Sequence, residues 1–157
     1  METLWQELTL GFDSVAQAER VLLRMVVAVV LGGIVGIQRE QAGKPAGVRT
    51  HMLVCLATAV VVLACIGMGM QHDAQSRVIQ GIVTGIGFIG AGSILKLSEE
   101  RDIQGLTTAA GLWLTAAIGI ACGVGTIGIA LITALVTVGL LALAGVIEGR
   151  EKKKNEE

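Results

Sequence analysis

The chain is 157 residues long and 53% hydrophobic, with 22 glycines against one proline and a formal net charge of -1. Its mean hydropathy of +0.73 excludes an ordinary soluble helical domain, which needs polar faces that most of this sequence cannot supply. The near-neutral charge excludes the basic footprint of a nucleic-acid binder.

Residues 1–20 carry Glu2, Glu7, Asp13 and Glu19 with no basic residue before Arg20. That is the wrong start for a secretory signal, so the N-terminus is expected to be retained. Leu4, Trp5, Leu8 and Phe12 recur at helical spacing and predict a short interfacial segment with Trp5 at headgroup level; a frayed terminus is the alternative. Ser14 followed by Gln17 reads as a capping box opening a helix into the first span, and a transmembrane domain is expected over residues 21–147. After Arg24 the uncharged run 25–38 has only 14 residues, fewer than the roughly 20 that a spanning helix needs. Arg24 must therefore snorkel to the surface or face a protein interior.

Gly32, Gly33 and Gly36 give this helix a smooth face, and it ends at Arg39 and Glu40. Gly43, Pro45 and Gly47 then punctuate a tight polar connection. It is either a solvated loop or a glycine-shaped turn holding Arg39, Glu40, Lys44 and Arg49 at the bilayer surface, where cations attract anionic lipid heads or an acidic partner. From Thr50 the chain is uncharged for 23 residues, to His72, and a second span is expected there, filling space and touching lipid.

The segment 73–97 is the expected hub of the bundle. Gly81, Gly85, Phe88 and Gly92 recur at helical spacing, and Gly87 and Gly90 widen the flat surface, so neighbouring backbones could approach closely there. A helix with this many glycines is weak in water and more credible in lipid, where every backbone group must bond internally. The third span is expected over residues 78–95, with Gln80, Thr84 and Ser93 as its polar members. Asp73 and Arg77, four apart with the acid first, mark either a membrane border or a pair at the mouth of a cleft.

Residues 103–147 form 45 consecutive uncharged positions. As one helix they would be roughly 67 Å long, far beyond a hydrocarbon core of about 30 Å. The run must fold back, and the break is expected at residues 122–128, where glycines are dense. Spans over 106–121 and 127–147 follow as antiparallel neighbours. In the first of these, Thr107, Thr108 and Thr115 suggest helix contact, while Trp113, deep in the span, is expected to face a neighbouring helix, with a lipid-facing ring as the alternative. Residues 148–157 read as a charged stop-transfer tail with a disordered end.

With five spans, one set of loops holds nine basic residues, Arg39, Lys44, Arg49, Lys96, Arg101, Arg150, Lys152, Lys153 and Lys154, and the other holds three, Arg20, Arg24 and Arg77. The positive-inside rule then places the N-terminus outside and the C-terminus in the cytoplasm.

Chemistry is sparse. Cys55, Cys65 and Cys122 lie in hydrophobic runs as small hydrophobes, and neither they nor His51 and His72 form a zinc or disulfide pattern. No nucleophile, metalloprotease or phosphate-loop motif is present, and the glycine pattern at 85–92 lacks the strand–turn–helix context of a dinucleotide loop. Neither an enzyme nor a cofactor is expected. A channel or transporter would need polar groups along a path, to which Thr84, Ser93, Thr107, Thr108 and Thr115 could contribute; a regulator or binding module needs only a grooved helical surface and charged loops.

Three blocks, residues 31–54, 77–94 and 105–125, resemble in content and order the MgtC/SapB family of bacterial inner-membrane proteins. The resemblance implies an all-α, multi-span bundle without catalysis, tied to growth in low magnesium, acid adaptation and survival inside macrophages. It also implies action by binding other membrane proteins, including the membrane sector of ATP synthase, rather than by carrying magnesium. Residue by residue, it assigns motif roles to Arg39, Glu40, Gly43, Pro45, Gly47, Arg49 and Thr50, to Asp73, Arg77, Gly85, Gly87, Phe88, Gly90 and Gly92, and to Gly105, Leu106, Thr107, Thr108 and Trp113. Longer members carry a soluble C-terminal domain, whereas this sequence stops at Glu157, so roles that depend on that domain are not expected of it. Two further expectations concern partners: a homodimer through a small-residue face, and a weaker magnesium site in which Glu40 and Asp102 converge.

Overall fold

The computed structural model describes residues 1–3, 12, 14–96 and 103–155. Five helices carry the fold: α1 Val15–Gln41, α2 Val48–Gly67, α3 His72–Gly92, α4 Leu106–Val124 and α5 Ile127–Asn155. Between α3 and α4 a two-residue antiparallel ladder pairs β1 Leu95–Lys96 with β2 Ile103–Gln104. The expected interfacial segment around Trp5 and the acidic loop with Asp102 lie outside the described residues. The chain is a multi-pass membrane protein: α1, α2, α4 and the first part of α5 are long and apolar enough to cross a bilayer.

Local chemistry sets the helix ends. Ser14 caps α1, its Oγ accepting from the Gln17 amide at 3.2 Å, as the capping box requires. At the other end Lys44 N donates to Arg39 O and Gly43 N to Glu40 O, both at 3.0 Å. These are the paired bonds of a Schellman turn, and Gly43 supplies its left-handed residue with φ of +64°. The break in the long uncharged run falls where glycine density placed it: α4 stops at Val124, Gly125 turns the chain at φ +99°, and α5 starts at Ile127.

Some boundaries move. The second helix ends at Gly67 and not at His72, and the third begins at His72 and ends at Gly92, so Leu95 leaves the helix for the ladder. The tail expected to be disordered continues α5 as helix to Asn155.

Contacts fix the helix directions. Gly32 packs on His51 and Cys55, and Gly36 on Val48, so α1 and α2 are antiparallel. Along α4, His51 meets Thr115, Cys55 meets Gly119 and Ala59 meets Gly123; residue numbers rise together, so α4 is parallel to α2. The chain must return between them, and α3 makes that return, antiparallel to α4, with Gly90 against Ala109 near one end and Ile82 beside Ile120 towards the other.

The core is built from small and medium side chains: Ala28, Leu31 and Val35 of α1, Cys55 and Ala59 of α2, Ile118 and Cys122 of α4, and Ala130 and Ala134 of α5. All three cysteines are buried free thiols. This arrangement corrects the expected hub. The seam is α2 with α4, and α3 is peripheral, burying only Ile86 and Gly90. It leans on α4 and leaves a groove of about 290 Å³ along α2. The physical reason is that glycine permits close approach without compelling it: a face lacking side chains has no knobs to fill a neighbour's holes, and packing follows contact area.

Candidate functional site

Among the described residues, Arg39, His51, Thr108 and Thr115 are buried polar side chains from the end of α1 and the N-terminal halves of α2 and α4, and Thr58 and Thr137 are buried elsewhere. Arg39, 2% exposed, comes from the last turn of α1, where a cation complements the helix dipole. His51, fully buried, lies in the first turns of α2 within electrostatic range of Arg39. Thr108 and Thr115, also buried, stand two turns apart on the face of α4 that meets α2.

Hydrogen bonding orders this cluster. Thr115 Oγ donates to Gly111 O at 2.9 Å and lies 2.6 Å from His51 Nδ1. Which of the two groups donates in the His51–Thr115 contact is set by the ring's tautomer. Nε2 is buried without a well-formed hydrogen bond, and the Ala46 backbone is among the polar groups beside the ring. A Cβ at Gly111 would meet His51 Cε1 at 3.7 Å, an ordinary contact, so Gly111 lies beside the imidazole.

The loop above is a structural clamp. Gly47, the N-cap of α2, has no side chain to cap with; Glu40 supplies the acceptor instead, its Oε2 taking the Val48 amide at 3.0 Å. A Cβ on Gly47 would stand 2.6 Å from that oxygen, so the glycine is what lets the carboxylate in. Pro45 and Arg49 are exposed, and Lys44 and Thr50 half-buried. Arg39, expected with Glu40, Lys44 and Arg49 at the bilayer surface, is instead buried within the bundle.

The glycine helix is arranged otherwise. A Cβ at Gly81, Gly85, Gly87 or Gly92 would meet nothing within 4 Å, and only Gly90 touches a neighbour, with Ala109 at 3.6 Å. Phe88 is 84% exposed. Asp73 and Arg77 are both exposed and form no ion pair among the described residues; Asp73 sits in the first turn of α3, where its carbonyl accepts from Ser76 Oγ at 2.9 Å. Trp113 does lie against α3, beside Ile82, Val83 and Ile86, yet stays 46% exposed. Gly105 packs under the Ser93 carbonyl and leaves no space for a side chain; Thr107 is half-buried.

Among the described residues no three His, Cys, Asp or Glu side chains are placed to hold a metal ion. For the expected pair of Glu40 and Asp102, Glu40 is engaged as a helix cap and Asp102 lies outside the described residues. Thr84 and Thr108, weighed together as lining for a path, differ in setting: Thr84 is exposed on α3, its hydroxyl bonded to Gln80 O, and Thr108 is buried on α4.

The sequence matches the MgtC family over residues 25–150. The chain belongs to the MgtC family. Its relatives include SrpB of Synechococcus elongatus, 38% identical over 133 residues, 78% of this chain and 72% of that protein. YhiD of Escherichia coli K12, named as a candidate magnesium transporter, is 35% identical over 141 residues, 85% of this chain and 65% of that protein. MgtC of Salmonella typhimurium is 40% identical over 104 residues, 66% of this chain and 43% of that protein. The chain thus spans less than half of the Salmonella protein and about two thirds of YhiD. No solved structure matches.

Within this MgtC family member, the motif residues Arg39 and Thr108 are buried, while Gly105 and Trp113 of α4 lie against α3 or its C-terminal end and Pro45 and Arg49 are exposed. The residue that sequence reasoning missed is His51. Its partner Thr115 is 64 positions away, and the one available signal was a histidine opening an uncharged span, where an unsatisfied ring is costly.

Proposed function

We propose that this chain is a non-catalytic regulator, a binding partner of other bacterial inner-membrane proteins under magnesium limitation or acid stress. The observation that carries the reading is the use made of polar groups in the part matched to the MgtC family. They cap helices, as Glu40 does, or bond between them, as His51 and Thr115 do, which suits a rigid binding surface better than a wet path. Reconstitution tests this. Proteoliposomes holding the purified chain and a magnesium-sensitive dye should leak no faster than empty vesicles, while the same chain supports growth of a deletion strain at low magnesium.

The name of YhiD favours a second reading, a small channel for a cation such as Mg²⁺. Flux that scales with the amount of protein and is selective among cations would replace the first reading with this one.

Four finer features belong to the proposal. The parallel course of α2 and α4 calls for a return between them, which supports α3 as a fifth crossing, its apolar part flanked by Asp73 and Arg77 at one end. With five crossings the excess of basic residues favours an outside N-terminus and a cytoplasmic tail; a reporter fused after Glu157 that is active only outside the cell would overturn that orientation. A homodimer formed through the open face of α3 would cover Gly85, Phe88 and Gly92. The exposed Arg49 at the first loop then meets anionic lipid or an acidic partner.

A further inference from the structure

At the end of the bundle opposite the His51 cluster, a cleft of about 530 Å³ opens between the start of α1 and the end of α2. That is the size range of small-molecule sites. Its walls are apolar, with Val21 and Met25 of α1 facing Val60, Leu63 and Ala64 of α2, and its polar members Gln17, Arg20 and Arg24 all come from α1.

The two arginines are one helical turn apart, hence on one face, and they stand where the uncharged run of α1 begins. In a membrane that is the level at which hydrocarbon gives way to headgroups. Each spends one donor on the protein: Arg20 Nε bonds to Ala16 O at 3.1 Å, and Arg24 Nη1 to Gly123 O at 3.0 Å, closing the C-terminus of α4. A guanidinium has five N–H donors, and neither arginine has a carboxylate partner among the described residues, Glu19 included. Two cations with spare donors therefore stand at the rim of an apolar cleft at interfacial depth.

We infer that the cleft binds one anionic phospholipid, with its phosphate on Arg20 and Arg24 and an acyl chain between α1 and α2. Charge complementarity selects the occupant. A zwitterionic lipid brings an ammonium that the arginines repel, a soluble phosphate leaves the apolar walls unused, and a second copy of the chain would have to offer an acidic group on an apolar stem. The phosphate meets paired guanidiniums, the geometry in which arginine binds such groups best.

The test is native mass spectrometry of the full chain released from nanodiscs of phosphatidylglycerol or of phosphatidylcholine, at equal lipid load. One phosphatidylglycerol should stay bound, with phosphatidylcholine about tenfold less occupied. R20Q should lower phosphatidylglycerol occupancy about tenfold and bring it to the phosphatidylcholine level. A64W, which fills the cleft and leaves both charges, should remove bound lipid of either kind. R77Q, on an exposed arginine of α3, should change nothing. Arg24 also holds α4, so R20Q and A64W carry the test, each checked for an unchanged melting temperature. Equal retention of the two lipids, full occupancy in R20Q, binding of inorganic phosphate alone with the same arginine dependence, or a lipid-free dimer whose interface is lost in A64W would each overturn the inference.

Discussion

Two glycine-bearing surfaces in this bundle have opposite fates. At Gly32, Gly36, Gly119 and Gly123 an added Cβ would run into the backbone or side chains of α2, whereas at Gly81, Gly85 and Gly92 of α3 it would meet open space. Both carry small residues at helical spacing, so spacing alone does not say which surface closes. What separates them is the partner. The first set faces α2, whose Cys55, Thr58, Ala59 and Val62 are themselves small or branched and buried, so contact area accrues along the whole seam. The open stripe of α3 faces no helix among the described residues.

The sharpest way to break that distinction is to put a large side chain into the seam. Gly119→Leu has the Cys55 carbonyl and the Thr58 hydroxyl in its way, and neither backbone nor a helix-bonded hydroxyl can give. A loss of ~3 kcal/mol is expected from overpacking of this kind, read as a large fall in melting temperature in detergent or as failure to accumulate in membranes. An unchanged melting temperature would mean that α2 and α4 do not lie against each other as described. Gly36→Leu, aimed at the Val48 backbone at 2.6 Å, should behave alike.

Next in size comes the polar contact inside the same seam. Thr115→Val keeps the shape but leaves the buried His51 Nδ1 without its hydrogen-bond partner, at an expected loss of about 2 kcal/mol. His51→Ala removes the other partner and opens a cavity as well. If the two groups bond only to each other across the helices, the double variant should be less destabilised than the sum of the singles. Additive losses would argue that the 2.6 Å contact contributes nothing.

The sequence disclosed those parts of this architecture that rest on backbone chemistry and on length. Forty-five uncharged residues cannot be one helix in a bilayer, so the turn at Gly125 was readable, as were the cap at Ser14 and the cysteines acting as small hydrophobes. Arg24 stood out because an ionisable group so near a short apolar run needs a partner, and it has one in the Gly123 carbonyl. The faces of the glycine helix were not readable. A residue with no side chain leaves no hydrophobic periodicity to say which side is buried, so the densest glycine pattern pointed to the wrong helix as hub. The candidate site was half legible: Arg39, Glu40, Gly47 and Thr108 carried family motif roles, but the contact that ties α2 to α4 joins residues far apart in the chain. The pairing of β1 with β2 is likewise set by the closure of the loop, with no alternation in the sequence to announce it.

A smaller effect sharpens the role of the first loop. Gly43 holds φ at +64° with open space around it, so Gly43→Ala adds conformational strain alone, about 1 kcal/mol. Gly47→Ala adds a clash alone, displacing the Glu40 carboxylate from the Val48 amide, and should likewise lose about 1 kcal/mol of capping. Glu40→Gln retains an acceptor, so it should recover most of the capping while losing the charge. Melting temperatures of the three variants separate strain, clash and charge; equal losses from Gly47→Ala and Glu40→Gln would show that the charge, not the geometry, is what the cap needs.

The smallest expected change in stability is on the open face of α3, and it decides whether that face has a use. At Gly85 and Gly92 an added Cβ meets nothing within 4 Å among the described residues, and leucine is a better helix former than glycine, so melting temperatures of the monomer should hold or rise slightly in Gly85→Leu and Gly92→Leu. If two copies pack α3 against α3, however, the same substitutions separate the backbones and should lower the cross-linked dimer fraction in membranes, with the double variant lowest. Phe88→Ala is the control for shape, since it removes the one large group on the stripe without widening the closest approach; a contact governed by backbone proximity should tolerate it better than either leucine. A dimer fraction indifferent to both leucines would leave the stripe facing lipid, and the contrast with the α2–α4 seam would then be one between a packed surface and a wetted one.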